Sequence, residues 1–115
     1  MTVFNTQIHP FKWIEHDDSV SIIMNDIGDY KQFIFDSRAD EGFEGGGYDW
    51  QSLAIVFLEE QVPHLQDDIC FDSESGMFCA YSNNSNALKE FILAFKNACE
   101  NDELILDIFS RAELD

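Results

Sequence analysis

The sequence predicts an α+β fold, a small antiparallel β-sheet with about three helices packed on one face. Short runs of aromatic and β-branched residues come in pairs separated by polar turns, as hairpins do. Longer stretches carry apolar residues at i, i+3, i+4, i+7 spacing, the period of a half-buried helix. A chain of 115 residues also fits one domain, 1–115. Such a chain can bury about two thirds of its unfolded surface without the help of disulfides or metal.

Phe11-Lys12-Trp13-Ile14-Glu15-His16 reads as a strand over 11–16, and Val20-Ser21-Ile22-Ile23-Met24 as its hairpin partner over 20–24. Asp17-Asp18-Ser19 is the turn between them. Asn25 to Asp29 carries Gly28 and turns the chain again. Tyr30 to Phe35 is ambiguous: its tail favours a strand, a possible third one, but a short helix fits as well, because a run this short has no decisive period. Ser37 to Asp49 reads as a long loop holding Gly42, Gly45, Gly46 and Gly47. Asp49 is placed to cap a helix, its carboxylate accepting free backbone N–H groups. Trp50, Leu53, Ala54, Phe57 and Leu58 then predict a helix over 50–61, stopped by Pro63.

A second hairpin is predicted from 69–71 and 77–81 around Asp72-Ser73-Glu74-Ser75-Gly76. A four-residue turn, Ser73 to Gly76, would set Phe71 opposite Phe78 and Cys70 opposite Cys79, with both thiols on one face. Ser82 to Asn86 offers several N-caps for a helix over 86–100, whose stripe is Leu88, Phe91, Ile92, Phe95, Ala98 and Cys99. Leu104, Ile105, Ile108, Phe109 and Ala112 predict a last helix over 103–112. Trp50, Leu53, Phe57, Phe91, Phe95 and Phe109 should be largely buried, since aromatic rings carry most of the available apolar area.

Charge sorts the function classes. Twenty-three acids against six bases give a net charge of −17. That field repels nucleic acid and anionic membranes and suits a basic protein partner. It also serves plain solubility. Cys70, Cys79 and Cys99 form no CxxC pair, so neither a zinc site nor a thioredoxin-like motif is expected, and reduced thiols are. Met1 to Pro10 lacks a basic patch followed by an apolar run, so no signal peptide is expected. No stretch approaches the about 18 apolar residues of a membrane span. A cytoplasmic location follows.

Catalytic chemistry finds no motif. His9, His16 and His64 share no spacing that sets two on one face, so no metal is expected. Gly45-Gly46-Gly47 lacks the GK[ST] ending of a phosphate loop, and Glu41, Glu44 and Asp49 would repel phosphate. There is no GxSxG elbow and no recognisable Cys–His context. The expectation is a binding protein that is not an enzyme and needs no cofactor.

The 36–49 segment is the candidate partner surface. Its length, glycines and mixture of acids with aromatics nominate Asp36, Asp40, Glu41, Phe43, Glu44 and Tyr48. Phe43 and Tyr48 either stand out as anchors or fold back into the core.

Phe43-Glu44-Gly45-Gly46-Gly47-Tyr48-Asp49-Trp50, with Ser52-Leu53-Ala54, resembles the signature of the immunity protein 51 family. Gly76-Met77-Phe78-Cys79-Ala80-Tyr81-Ser82 and the stretch from Asp107 to Leu114 resemble that family too, so the likeness runs from about Pro10 onward. Gly46 stands where that resemblance leads one to expect a polar residue such as Asn. The resemblance implies an α+β fold and a bacterial antitoxin that binds and neutralises a cognate polymorphic toxin, protecting the producing cell. An acidic adaptor binding a basic partner unrelated to toxins is the alternative from another class. A small hydrolase using the acidic loop is a remote third.

Overall fold

β-branched and aromatic residues on either side of Asp17-Asp18-Ser19 form the first hairpin in a computed structural model that describes residues 6–25 and 27–113. Residues 1–5 of the segment read for a signal peptide, Asp26 of the Asn25–Asp29 turn, and Leu114 of the third family-like stretch lie outside the described residues.

Strand β1 is Lys12–Glu15 and β2 is Val20–Met24. His16 N–H closes their turn on the Ser19 carbonyl at 2.9 Å. Strands β3, Cys70–Phe71, and β4, Phe78–Ser82, complete an antiparallel sheet in the order β1-β2-β4-β3. Ile22 stands between Trp13 and Ala80, so β2 and β4 are the central strands. Beyond a helical turn at residues 6–8, four α-helices lie wholly among the described residues: α1 Phe33–Asp36, α2 Gly47–Gln61, α3 Ser85–Cys99 and α4 Asp102–Phe109. One-turn 3-10 helices occupy Ala39–Glu41 and Pro63–Leu65. The fold is therefore α+β, with slightly more helix than about three.

Helix ends follow from local chemistry. Asn84 Oδ1 accepts the Ala87 N–H and Asn101 Oδ1 accepts the Leu104 N–H, both at 3.2 Å, so each asparagine satisfies a free donor of a first turn. Pro63 follows the end of α2 as its sequence demands.

The inner face of the sheet carries Ile22, Met24, Phe78 and Ala80, all fully buried. Helices α2 and α3 pack there. Trp50 is the centre of the aromatic core, with Phe35 at 5.0 Å, Phe11 and Tyr30 at 6.0 Å and Phe95 at 6.2 Å between ring centroids. Most of these pairs meet edge to face, the arrangement ring quadrupoles favour. Leu53, Phe57, Phe91 and Phe109 join this core, as their spacing predicts.

Three expectations change. Tyr30 to Phe35, whose tail favours a third strand, is instead a turn leading into α1, the short-helix alternative. The 37–49 loop contains a 3-10 turn, and α2 begins at Gly47, two residues before the expected cap. The reason is tertiary: the Ser75 carbonyl of the β3–β4 turn accepts the Gly47 N–H at 3.0 Å, so backbone from the hairpin does the capping. The second hairpin has a two-residue turn, Ser75-Gly76, rather than four. Cys70 faces Tyr81, Phe71 faces Ala80, and Glu74 bridges Met77. This register adds two backbone bonds between Glu74 and Met77, at 2.8 and 3.0 Å. A shift of two keeps every side chain on its face. Phe71 and Phe78 still share the inner face at 6.2 Å, and Cys70 and Cys79 share the outer one, but no longer directly opposite.

All three cysteines are free. Cys99 is fully buried in α3, and burial pushes its thiol far above the ordinary range, near 9, where the unfolded chain would release the proton. The folded state thus holds a proton that the unfolded state loses, so raising the pH favours unfolding. Stability is expected to fall as pH climbs past about 9, and Cys99→Ala should flatten that alkaline limb in denaturant titrations. Tyr30, half-buried, adds to the same limb at higher pH. An unaltered slope in the variant would show that other groups control the limb.

Candidate partner surface

The loop joining α1 to α2 is held from inside at several points. Gln32 Nε2 donates to Asp36 Oδ1 at 3.2 Å and to the Glu44 carbonyl at 2.9 Å, joining the start of the segment to its far side. Gly42 closes the 3-10 turn with a left-handed φ of 109°, a conformation that suits glycine. Asp49, buried in the first turn of α2, accepts the N–H groups of Glu44 at 2.7 Å and Gly45 at 2.8 Å. Its carboxylate therefore satisfies free donors, but those of the loop and not of the helix.

Arg38 is the strongest fastening. Its Nη1 donates to the carbonyls of Phe109 and Ala112 at 2.6 and 2.7 Å. Its Nε and Nη2 donate to the two Glu41 carboxylate oxygens at 2.9 and 2.8 Å. The guanidinium plane also lies over the rings of Phe43 and Phe109, 4.6 and 5.1 Å from their centroids. A planar fork can meet these demands together; a lysine ammonium cannot. The hydrogen bonds from Arg38 hold the Glu41 carboxyl below the usual carboxylate range.

These contacts sort the nominated residues. Phe43 is 3% exposed and stacks edge-on against Phe109 at 4.8 Å, so its side chain anchors the loop to the core. Tyr48 is 46% exposed on the first turn of α2. Asp36, Asp40, Glu41 and Glu44 are exposed. Asp36 and Glu44 meet through Gln32, while Glu41 is committed to Arg38. Two functional candidates escape a reading of the sequence. Phe33, 40% exposed on α1 just ahead of the loop, is an exposed aromatic in addition to Tyr48. Its orientation was illegible because its segment had no clear period. Arg38 carries no motif that singles it out, because its partners are 71 and 74 residues away.

Elsewhere, a cleft of about 560 Å³ is lined by His9, Asp29, Tyr30, Lys31, Lys96 and Glu100, among others. Three of its polar side chains bond to one another. Tyr30 Oη donates to Glu100, and Lys96 Nζ donates to Tyr30 Oη at 3.1 Å and to Glu100 at 3.0 Å. His64 pairs with Glu90 at 2.7 Å and His16 with Ser21 at 3.0 Å. Among the described residues, no three His, Cys, Asp or Glu side chains are grouped to hold a metal ion. Nor is any helix among them long and apolar enough to cross a membrane.

Fold and surface together define a small α+β protein that presents a fastened, acidic, aromatic-bearing loop. The family described as Immunity protein 51 matches residues 11–114, nearly the whole chain. The chain belongs to that family. No curated protein and no solved structure matches it.

Proposed function

We propose that this chain is a cytoplasmic immunity protein that neutralises a cognate bacterial toxin by binding it, with no catalytic step of its own. The family match over residues 11–114 carries the reading. A net charge of −17 supports a toxin whose covered surface is basic, and gives no footing to nucleic acid or membrane as partner. Asp36, Asp40, Glu41, Glu44 and Tyr48 form the partner-facing side of the loop, joined by Phe33, while Phe43 holds the loop from beneath. Because the loop is fastened before binding, little ordering entropy opposes association.

The test is rescue. Cells expressing the toxin domain encoded beside this gene should die alone and survive when this chain is co-expressed. Failure of both rescue and direct binding would remove the immunity reading and favour an adaptor for an unrelated basic protein.

The loop's share can be measured separately. Reversing Glu41 would place a cation against Arg38 and loosen the fastening, so Asp40 and Glu44 are the cleaner choices. Asp40→Lys with Glu44→Lys is expected to slow association about tenfold at low salt and to reduce its salt dependence. The same association rate in stopped-flow at low salt, in a variant that melts normally, would exclude the loop from the interface.

A further inference from the structure

An antiparallel sheet with one face against helices is normally polar on the other. This one is not. On the outer face a row of Ile14, Ser21, Tyr81 and Cys70 crosses all four strands, each residue directly opposite the next. Beside it runs Lys12, Ile23 and Cys79. Ile14 is 36% exposed and Tyr81 38%. Ile14, Ile23, Cys70 and Tyr81 lie outside the cluster that forms the core, whereas Cys79 and Ser21 are buried, at 8 and 9% exposed. Apolar side chains as exposed as Ile14 and Tyr81 at outward strand positions weaken solubility and specificity, so they need a reason outside the fold.

The border of this face is acidic. Asp17 and Asp18 occupy the β1–β2 turn next to the Ile14–Ser21 end, and Asp72, whose N–H donates to the Cys79 carbonyl, flanks β4. Lys12 is the one base in the two rows. An apolar centre framed by acids fits a protein surface with an apolar projection among basic residues. It does not fit a second copy. Strands spaced about 4.8 Å apart make four strands only about 15 Å wide, so the rows cover a few hundred Å². A stable dimer needs about 800 Å² per partner. Two such faces would also bring together chains of −17 charge each. The footprint of a heterologous partner can instead run on from the rows over the acids of the turn, where its basic side chains gain most.

We infer that the open face of the sheet seats the toxin, with Ile14 and Tyr81 as its apolar anchors. This inference rests on the immunity reading and adds a contact surface distinct from the 36–49 loop. That loop then contributes chiefly to the rate of encounter and the sheet face to the lifetime of the complex.

The test uses the full chain and the purified toxin domain encoded beside its gene. Ile14→Ser with Tyr81→Ser is expected to weaken binding about 100-fold, mainly through faster dissociation, as loss of two anchors does. Melting should stay close to wild type, because both side chains are partly exposed. In parallel, iodoacetamide labels the exposed Cys70 of the wild-type chain, and the complex is expected to slow that labelling at least about tenfold by covering the row. Should the double variant fail to fold, the Cys70 footprint decides alone. Wild-type binding with an equally tight double variant and a fully reactive Cys70 would overturn the sheet-face inference while leaving the immunity reading intact. Absence of wild-type binding would overturn both. A wild-type homodimer in sedimentation that the double variant breaks would assign the face to a second copy and overturn the inference too.

Discussion

Gly47→Ala is expected to destabilise the protein by about 3 kcal/mol and to lower its melting temperature by roughly 10 °C. Helix propensity alone argues for the opposite sign, since alanine in a helix is favoured over glycine by about 1 kcal/mol. Packing wins because of what lies beside the first turn of α2. A Cβ on Gly47 would sit inside the van der Waals envelope of the Glu74 and Met77 carbonyls, which are backbone and cannot rotate away. The same approach lets Gly47 N–H reach the Ser75 carbonyl, so a displaced helix also loses its cap. Gly76 is the control: a Cβ there meets nothing within 4 Å, and Gly76→Ala should be nearly neutral. Thermal unfolding of the two variants checks the contrast. Equal melting temperatures would show that the helix start and the hairpin turn do not touch as described.

Asp49→Ala is expected to cost about 3 kcal/mol, more than the about 1 kcal/mol of an ordinary helix cap. The carboxylate accepts two backbone N–H groups, from Glu44 and Gly45, in a site where the side chain is 8% exposed. Its removal takes the carboxylate acceptor from the buried Gly45 donor and from the part-buried Glu44 donor, and charge-assisted bonds are the stronger kind. Asp49→Asn should fall between wild type and alanine, because an amide oxygen can still accept but carries no full charge. Hydrogen exchange adds a readout specific to this arrangement. The Glu44 and Gly45 amides should lose protection ahead of the sheet in the alanine variant. Uniform loss across the chain, or a cost below about 1 kcal/mol, would show that the two loop bonds of Asp49 carry little of the stability.

Periodicity made the architecture legible. The stripes of 50–61, 86–100 and 103–112 name the residues that face inward, and Trp50, Phe91, Phe95 and Phe109 are buried as a result. Strand type and partner could likewise be read from the paired apolar runs. What stayed hidden depends on contacts between distant residues. The start of α2 is set by Ser75, in the β3–β4 turn and far in sequence from the segment that it caps. The register of the second hairpin turns on whether Glu74 and Met77 pair, and a two-residue slip leaves the inward pattern unchanged, so the pattern cannot report it. The candidate surface was half legible for the same reason. Acids are exposed almost by default, whereas the fate of Phe43 was decided by Phe109, 66 residues further on in the numbering of this chain. The outer sheet face was written in the alternation of β1, β2 and β4, but only the four-strand order turns those single residues into a row.

The Arg38 fastening bears on the order of events as the chain is made. Its carbonyl acceptors at Phe109 and Ala112 are 71 and 74 residues downstream, among the last described residues to emerge from the ribosome. Contacts so far apart in sequence close late, since the intervening loop must first be ordered. Helix α2 and both hairpins can therefore be in place while the acidic loop is still tied only through Gln32 and Asp49. A nascent chain in that state has a sheet face but no finished loop. The loop proposed to meet the partner is therefore the part of the chain that matures last, after synthesis has passed Ala112.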